Sequence, residues 1–304
     1  MILCIGEILA DMIGFEKDGR FFYERKAGGA PFNVACAAKK LGADVAFAGS
    51  VGDDLIGKFL VRTAEKRGFA ALLIDEKKDK NTTLAFVELS DDGERDFCFY
   101  RKNTADVYLP DISDELISRA NIIHIGSLML SEDAGRAFAE NIIDRAHKQN
   151  KKISFDVNFR TDIFRDTESA LKIYKKIIEK CDIVKFSEDE VELFTEEYVY
   201  SLKNKIICVS LGGAGSRLIF GGKAYDVGSI KVKPVDTTGA GDAFFGGFLS
   251  ETDRLSENGI TADNLCKNLK FANVCGALNT LGRGAIDFLP DRETVESRLK
   301  ETEN

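Results

Sequence analysis

The amino-acid sequence predicts an α/β protein with a doubly wound, mostly parallel β-sheet flanked by helices and a small antiparallel β lid. Apolar runs typical of buried strands alternate with helical patterns, which favours a parallel sheet covered on both faces. Two segments break that rhythm with alternating apolar and polar residues. No Pro- or Ser-rich linker separates them from the rest, so we interpret them as an insertion.

The elements follow in order along the chain. Pro31 begins and Gly42 ends a helix through "PFNVACAAKKLG", the strand "DVAFAGSVG" comes next, and a second helix ends near Gly68. Further on, apolar runs predict strands and helical patterns predict intervening helices. The predicted strands are 122–127, 152–158, 182–187 and 206–211, and the predicted helices lie near 132–148 and 167–180.

The interruptions at 14–28 and 72–105 predict the lid. The second contains "TTLAFVELSDDGERDFCFYR", two alternating segments around an Asp-Asp-Gly turn. The large domain is then expected to comprise 1–13, 29–71 and 106–304. The lid strands carry more apolar side chains than a sheet solvated on both faces would have, so we expect them to cover a ligand or to contact the lid of a second chain. Those side chains are Leu84, Phe86, Phe97 and Phe99.

Composition and charge exclude several classes of protein. The net charge of −8 argues against non-specific nucleic-acid binding, and no apolar run is long enough to cross a membrane. At the N-terminus, Glu7 and Asp11 interrupt the apolar run, so we expect no signal peptide. Seven cysteines without C-x-x-C spacing indicate reduced thiols and a cytoplasmic protein. The only histidines, His124 and His147, make a Ser-His-Asp hydrolase or a multi-His metal site improbable.

The segment "VDTTGAGDAFFGGF" (235–248) predicts an anion site. A strand, a glycine-rich loop and a helix present unpaired amides and the positive end of a helix dipole, which suit phosphate or a developing oxyanion. Phe244 stands where a dinucleotide fingerprint needs glycine, and no Gly-Lys-Ser/Thr follows, so neither a dehydrogenase nor a P-loop protein is indicated. From this motif alone, Asp242 can be interpreted equally well as a residue that caps the helix and as a catalytic group.

A second motif, "AGGAPFNVACAAKKLG" (27–42), places two glycines before a helix and Asn33 in its first turn. Glycines allow close approach of a ligand, and an amide both donates to and accepts from a hydroxyl. Together the two motifs resemble the signature regions of the ribokinase/PfkB family of carbohydrate kinases. The resemblance extends over essentially the whole chain and implies a ribokinase-like fold.

The resemblance implies roles for the residues of both motifs. Asp242 would be the catalytic base, and the amides of Gly239, Ala240 and Gly241 would stabilise charge on the transferred phosphoryl group. The sugar would lie against a further set of residues. That set is Asp11, Gly28, Gly29 and Asn33, with Phe99 of the lid above them.

The resemblance also implies an ATP site and its cations. It implies ATP contacts in two further segments, "VSLGGAGS" and "ANVCGALNTLGRGA". The residues with implied ATP contacts are Ser210, Gly212 and Gly215 in the first segment, Asn273 in the second, and Gly241. The segment "SEDE" begins with Ser187, where the family usually has asparagine. Because of this difference, a role of Ser187 in ATP binding stays open. Glu190 would hold Mg²⁺ through water. Asp236 and Thr238 occupy positions where relatives bind K⁺.

Within the family, "GGAPFNVA", "FYRKNTAD" and "DVNFR" are most similar to fructokinases. Arg101 and Arg160 are candidates for sugar contacts. Kinases of 2-keto-3-deoxygluconate share much of this pattern and are the alternative, but the anionic Asp11 would repel a carboxylate substrate. A catalytically silent sugar- or nucleotide-binding scaffold is a further alternative, which the intact "DTTGAGD" disfavours. We expect an ATP- and Mg²⁺-dependent fructokinase that forms a homodimer through its lids.

Overall fold

The structure is a computed structural model that describes residues 1–89, 95–164 and 166–303. Nine strands form the large sheet. From one edge to the other they are β13 (Lys223–Gly228), β12 (Gly215–Phe220), β11 (Ile206–Ser210), β10 (Ile183–Ser187), β9 (Lys152–Asp156), β8 (Ile122–Ile125), β1 (Ile2–Ile5), β4 (Val45–Gly52) and β5 (Ala71–Lys77).

The seven strands from β5 to β11 are parallel to their neighbours, whereas β12 and β13 form an antiparallel hairpin at one edge. The central strands β1 and β8 consist of buried residues, because helices cover both faces of a parallel sheet. The predicted α/β fold is therefore confirmed.

Ten helices are described. They are α1 (Ala30–Lys40), α2 (Leu55–Glu65), α3 (Asp114–Arg119), α4 (Asp133–Lys148), α5 (Thr167–Lys180), α6 (Glu188–Phe194), α7 (Glu196–Ser201), α8 (Ala240–Thr252), α9 (Ala262–Asn279) and α10 (Arg292–Glu303). Two large apolar clusters fill the two faces of the sheet. Ile142 of α4 and Tyr174 of α5 belong to one cluster, and Phe32 of α1, Phe245 of α8 and Leu269 of α9 belong to the other.

A separate four-stranded sheet forms the lid, in the order β3 (Arg20–Gly28), β2 (Leu9–Lys17), β6 (Leu84–Leu89), β7 (Arg95–Tyr100). Its limits differ from the expected ones. Residues 9–13 belong to β2, because β2 pairs with β3 along its full length, and residues 72–77 belong to the large sheet, because β5 pairs with β4. The Asp-Asp-Gly turn at 91–93 lies outside the described residues.

The register of the lid separates its apolar side chains between two faces. Asp11 lies opposite Ala85, and Ala85 lies opposite Phe99, so these three share one face, whereas Leu84 and Phe86 lie on the other. The side chain of Phe97 is outside the described part of the chain. Both faces of the lid are therefore partly apolar.

Among the described residues, the structure contains no helix with the length and apolar character required to cross a membrane. All seven cysteines are free thiols. His124 is buried in β8, where burial and the nearby Lys185 lower its pKa to about 3. It is therefore a neutral core residue.

Candidate active site

Two cavities meet at the start of α8. The first, which we call the acceptor cavity, has a volume of about 630 Å³ and lies between the lid and the large sheet. The second, the nucleotide cavity, has a volume of about 510 Å³ and lies between α8, α9 and the loop after β11. Thr237 and Gly241 line both cavities. Two ligands bound in the two cavities would therefore meet at Gly241.

The start of α8 exposes backbone amides at this junction. Gly239 precedes the helix with φ 72°, and a Cβ on it would lie 2.7 Å from atoms of Ala285, so a glycine is required there. The Ala240 amide donates to the Thr237 carbonyl (3.2 Å). In the described structure the amides of Gly239 and Gly241 donate to no carbonyl. Of the three amides predicted to stabilise phosphoryl charge, these two therefore remain available to an anion.

Asp242 lies in the first turn of α8 and lines the acceptor cavity. Asn33 Nδ2, from the first turn of α1, donates to Asp242 Oδ2 at 2.8 Å. Burial, followed by repulsion from Asp156, raises the pKa of Asp242 to about 6, although the Asn33 bond, Lys185 and Arg160 lower it. The carboxylate is therefore ionised at neutral pH, with a pKa close enough to neutrality to accept a proton.

Asp11 enters the acceptor cavity from β2 of the lid. Burial, followed by repulsion from Asp242, raises its pKa to about 7, while Arg160 lowers it. This weakens one expectation from the sequence: a carboxyl that is half protonated at neutral pH repels an anionic substrate less than a full charge would. In both forms a carboxyl group can hydrogen-bond hydroxyl groups.

The double glycine makes room for these groups. A Cβ on Gly28 would lie 2.1 Å from Asp11 Oδ2, and a Cβ on Gly29, whose φ is 108°, would lie 2.4 Å from the Glu7 carbonyl oxygen. Of the two, only Gly29 lines the acceptor cavity. The missing side chain at Gly28 thus makes room for the Asp11 carboxyl group, and the missing side chain at Gly29 makes room for the backbone of Glu7.

The two arginines have different positions. Arg160 lines the acceptor cavity and lowers the pKa values of Asp11 and Asp242, as a nearby cation does. Arg101 is not among the lining residues. Its guanidinium donates to Asp106 Oδ2 (2.6 Å), to the Leu128 carbonyl (3.0 Å) and to the Ser131 hydroxyl. Arg101 therefore connects the end of β7 to the large domain through three of its five N–H donors.

Sequence reasoning missed four polar residues that line the acceptor cavity: Glu7, Asn158, Lys185 and Thr237. Glu7 is 1% exposed, its Oε2 has no hydrogen-bond partner, and burial raises its pKa to about 8. Asn158 follows β9 with φ 35°, a conformation that asparagine tolerates better than most residues. Asn158 is the last residue of the predicted strand 152–158, and Glu7 follows the apolar run at the start of the chain. These positions could have indicated them, because ligands bind at the carboxyl ends of parallel strands.

The nucleotide cavity includes four residues with predicted ATP contacts. Ser210, Gly212, Gly215 and Asn273 all line it. Gly215, with φ 114°, is required because a Cβ there would lie 2.2 Å from the Val227 carbonyl oxygen. Asn273 Nδ2 donates to the carbonyls of Val227 and Gly228 at 2.9 and 3.2 Å, so its side chain also holds the end of β13 in place.

Ser187 and Glu190 form a capping box at the start of α6. Glu190 Oε2 accepts from the Ser187 amide and Oε1 from the Phe159 amide, both at 2.7 Å. Neither residue lines the acceptor cavity or the nucleotide cavity. Ser187, which stands where the family usually has asparagine, is the N-cap of α6, a position that serine fills well. Each Glu190 oxygen retains a lone pair, which fits an outer-sphere contact with a hydrated cation.

The loop before α8 shows how a cation could be held. Asp236 Oδ1 accepts from the Thr238 amide (2.7 Å) and Oδ2 from the Gly284 amide (3.0 Å), so this carboxylate closes the loop. Asn279 Nδ2 donates to the Thr238 carbonyl at 3.2 Å, while its buried Oδ1 has no partner. In the described part of the chain, no group of three His, Cys, Asp or Glu side chains is placed to bind a metal ion. Backbone carbonyls and this amide oxygen are what could bind a monovalent cation here.

Comparison with known proteins places this geometry in context. Residues 1–292 match the pfkB family of carbohydrate kinases. The chain is 36% identical over 318 residues to "Probable fructokinase-5" of Arabidopsis thaliana, a match that covers 99% of this chain and 97% of that protein. The fructokinase of Xylella fastidiosa with bound ATP superposes with a TM-score of 0.92 at 28% identity, covering 100% of this chain and 99% of that one. A double mutant of the Vibrio cholerae O395 fructokinase in its fructose-, ADP- and potassium-bound form gives a TM-score of 0.87 at 27% identity, with 97% of each chain covered.

Proposed function

The chain belongs to the pfkB family of carbohydrate kinases, as its two signature motifs predicted, and we propose that it is an ATP-dependent fructokinase that converts D-fructose to fructose 6-phosphate. The observation that carries this proposal is the pair of cavities that meet at Gly241, with Asp242 on the acceptor side. The fructokinase relatives, about a third identical over nearly the whole chain, support the choice of sugar.

In the proposed mechanism, the terminal hydroxyl of the sugar lies against Asp242 and ATP occupies the nucleotide cavity. Asp242 accepts the hydroxyl proton as the hydroxyl oxygen attacks the γ-phosphorus, and ADP leaves with the electron pair of the broken bond. The amides of Gly239 and Gly241 stabilise charge on the transferred group. Asn33 holds the Asp242 carboxylate in position through the 2.8 Å bond.

The remaining substrate contacts follow from the lining of the two cavities. Asp11, Arg160 and Glu7 are proposed to bind sugar hydroxyls, with Phe99 covering them from the lid. Ser210, Gly212, Gly215 and Asn273 are proposed to contact ATP. When Mg²⁺ is bound it neutralises phosphate charge, and Glu190 is proposed to contact it through water.

The specificity of the acceptor cavity is the point to test. ADP release should be measured with Mg²⁺-ATP over fructose, ribose, tagatose, adenosine, fructose 6-phosphate and 2-keto-3-deoxygluconate, with the phosphorylated position determined by NMR. We expect fructose to give the highest kcat/KM. A value for the keto acid more than about tenfold higher, a difference of about 1.4 kcal/mol, would replace fructose by the alternative substrate.

Asp242→Asn tests the catalytic base. This variant should fold and bind both substrates but lose about 10²- to 10⁴-fold in kcat, the usual contribution of general base catalysis. Asp226→Asn, which removes an exposed carboxylate paired with Arg217, is a matched control that should keep full turnover. Equal turnover in Asp242→Asn and wild type would refute the assignment.

We further propose a homodimer through the lids in the cytoplasm. Large apolar side chains on the lid are exposed, including Phe21 at 55% and Tyr100 at 61%, which is costly for an isolated sheet. The free thiols suit a reducing compartment. Light scattering at micromolar concentration should give twice the monomer mass of 33.5 kDa, and a monomer with and without fructose would refute the dimer.

The unpartnered Asn279 Oδ1 beside the Thr238 carbonyl supports K⁺ activation. Replacing K⁺ by tetramethylammonium, which is too large for such a loop, should lower kcat. Unchanged kcat would argue against a K⁺ site at Asp236 and Thr238.

A further inference from the structure

Lys185 is a buried cation at the junction of the two cavities. It lies on β10, is 6% exposed and lines the acceptor cavity. A Cβ built on Gly241 would lie 3.6 Å from Lys185 Nζ, so the ammonium is next to the backbone of the first turn of α8. Gly241 is one of the two residues that line both cavities. The charge of Lys185 is thus close to the place where a group would pass between two ligands.

The neighbours of Lys185 keep it charged and fixed. Its Nζ donates to both oxygens of Asp156 on the adjacent strand β9, at 2.8 and 2.9 Å. Burial lowers the pKa of Lys185, but Asp156, Glu190 and Asp242 together raise it above its ordinary value. Since an ammonium has three donors and Asp156 accepts two, one donor remains.

We propose that Lys185 is a catalytic residue that binds the transferring phosphoryl group, and that Asp156 is the positioning residue that aims it. The proposal rests on the kinase function proposed above. As the bond between the γ-phosphorus and the ADP oxygen breaks and the bond to the sugar oxygen forms, the hydroxyl proton passes to Asp242. Lys185 keeps its proton throughout and neutralises charge on the phosphoryl oxygens.

Position favours Lys185 over the other cation of the acceptor cavity. Both cations line the acceptor cavity and neither lines the nucleotide cavity, but only Lys185 has atoms within 4 Å of a Cβ built on Gly241, which lines both cavities. Arg160 acts on Asp11 as well as on Asp242. The ammonium of Lys185, next to the backbone of Gly241, would add a full positive charge to the backbone donors at the start of α8. Such preorganised charge acts most strongly on groups whose charge changes in the transition state.

A purely structural role makes a different prediction. If Lys185 only neutralised Asp156, Lys185→Met would fail because it leaves a buried carboxylate unpaired, and the double variant Lys185→Met/Asp156→Asn would recover activity. If Lys185 binds the phosphoryl group, the double variant should remain inactive although it folds. Asp156→Asn alone keeps the lysine and should lose less.

The experiment measures kcat, KM and circular dichroism for these variants, with Lys172→Met, an exposed lysine paired with Glu168, as control. We expect Lys185→Met and the double variant to lose about 10²- to 10³-fold in kcat with fructose KM changed less than about threefold, and Asp156→Asn to lose less than about tenfold. Recovery of the double variant to the kcat of Asp156→Asn would overturn the proposal. If the Met variants do not fold, Lys185→Gln, whose amide can still donate to Asp156, takes their place with the same expected loss.

Binding provides a readout besides turnover. Calorimetry with fructose and Mg²⁺ should show that wild type binds ADP with aluminium fluoride, a mimic of the transferring group, more tightly than ADP alone. Lys185→Met/Asp156→Asn should lose that gain while binding ADP normally, and an unchanged gain would overturn the proposal. Failure of wild type to release ADP with any sugar would instead refute the kinase function, so the two outcomes are distinct.

Discussion

The pH dependence of turnover follows from the environment of Asp242. The base must be ionised to accept a proton, and its pKa is raised to about 6. Asn33 Nδ2 donates to the ionised carboxylate at 2.8 Å and so lowers that pKa. Asn33→Ala removes a bond that favours the charged form, and the pKa of Asp242 should therefore rise.

The size of the effect can be worked out for the free enzyme. With a pKa of about 6, Asp242 is about 90% ionised at pH 7 and about 10% ionised at pH 5. We therefore expect kcat/KM for fructose to fall about tenfold between these values, with a slope that approaches one below the pKa, because kcat/KM reports the groups of the free enzyme. In Asn33→Ala the midpoint should move to higher pH.

The assay is coupled ADP release at limiting fructose and saturating Mg²⁺-ATP from pH 5 to 9. Asn121→Ala is a matched control, because Asn121 Nδ2 donates to the Asp253 carboxylate at 3.0 Å away from the acceptor cavity. Asp11→Asn removes the other carboxyl with a pKa near neutrality, and an acidic limb near pH 6 should persist in it. A flat profile down to pH 5, or a midpoint that Asn33→Ala leaves in place, would refute the reasoning.

Further predictions concern the double glycine and Asp11. Gly29→Ala should destabilise the fold by about 2 kcal/mol or more in chemical denaturation, because its φ of 108° and the Glu7 carbonyl at 2.4 Å are both backbone constraints. Gly28→Ala should instead raise the fructose KM with a loss of stability below about 1 kcal/mol, because only the Asp11 side chain must move; equal destabilisation by both variants would contradict this. Burial and Asp242 raise the pKa of Asp11 from 3.8 to about 7, so its ionisation costs stability as pH rises between these values. Asp11→Asn should accordingly stabilise the protein by about 1 to 3 kcal/mol at pH 8 and hardly at all below pH 4, and an equal gain at both would count against this pKa.

Local pattern was sufficient to predict most of the large domain. Buried parallel strands appear as continuous apolar runs and helices as amphipathic periods, so β8, α4, β9, α5, β10 and β11 lie close to their predicted positions. The β12–β13 hairpin was not predicted. Strand β13 is an antiparallel edge strand of exposed and half-buried residues, so it has no continuous apolar run. The two-residue turn Gly221-Gly222 was a hairpin signal that sequence reasoning overlooked. The start of the lid was placed too late, because the pairing that puts Leu9–Lys17 beside Arg20–Gly28 is not visible in the sequence.

The candidate site was predictable where a motif placed several residues on one turn. Asn33 and Asp242 lie in the first turns of α1 and α8, and these two helices pack together to give the 2.8 Å bond. Lys185 and Asp156 could not be found in this way, because each is an isolated polar residue in an apolar strand. Only the register of β9 against β10 makes them partners. The sugar contact of Arg101 stays a prediction, and the hydrogen bond of Arg101 to Asp106 was not visible from the sequence.

The balance of charge in the acceptor cavity favours a neutral acceptor. At neutral pH Glu7 is mostly protonated, Asp11 is about half ionised and Asp242 is ionised, according to pKa values of about 8, 7 and 6. Arg160 lowers the pKa values of both Asp11 and Asp242, and Lys185, which is paired with Asp156, also lowers that of Asp242. An uncharged sugar adds hydroxyl groups and leaves this balance unchanged. To bind the carboxylate of a keto acid, Arg160 would have to give up its interactions with Asp11 and Asp242. That exchange costs free energy, and a neutral ketohexose does not require it.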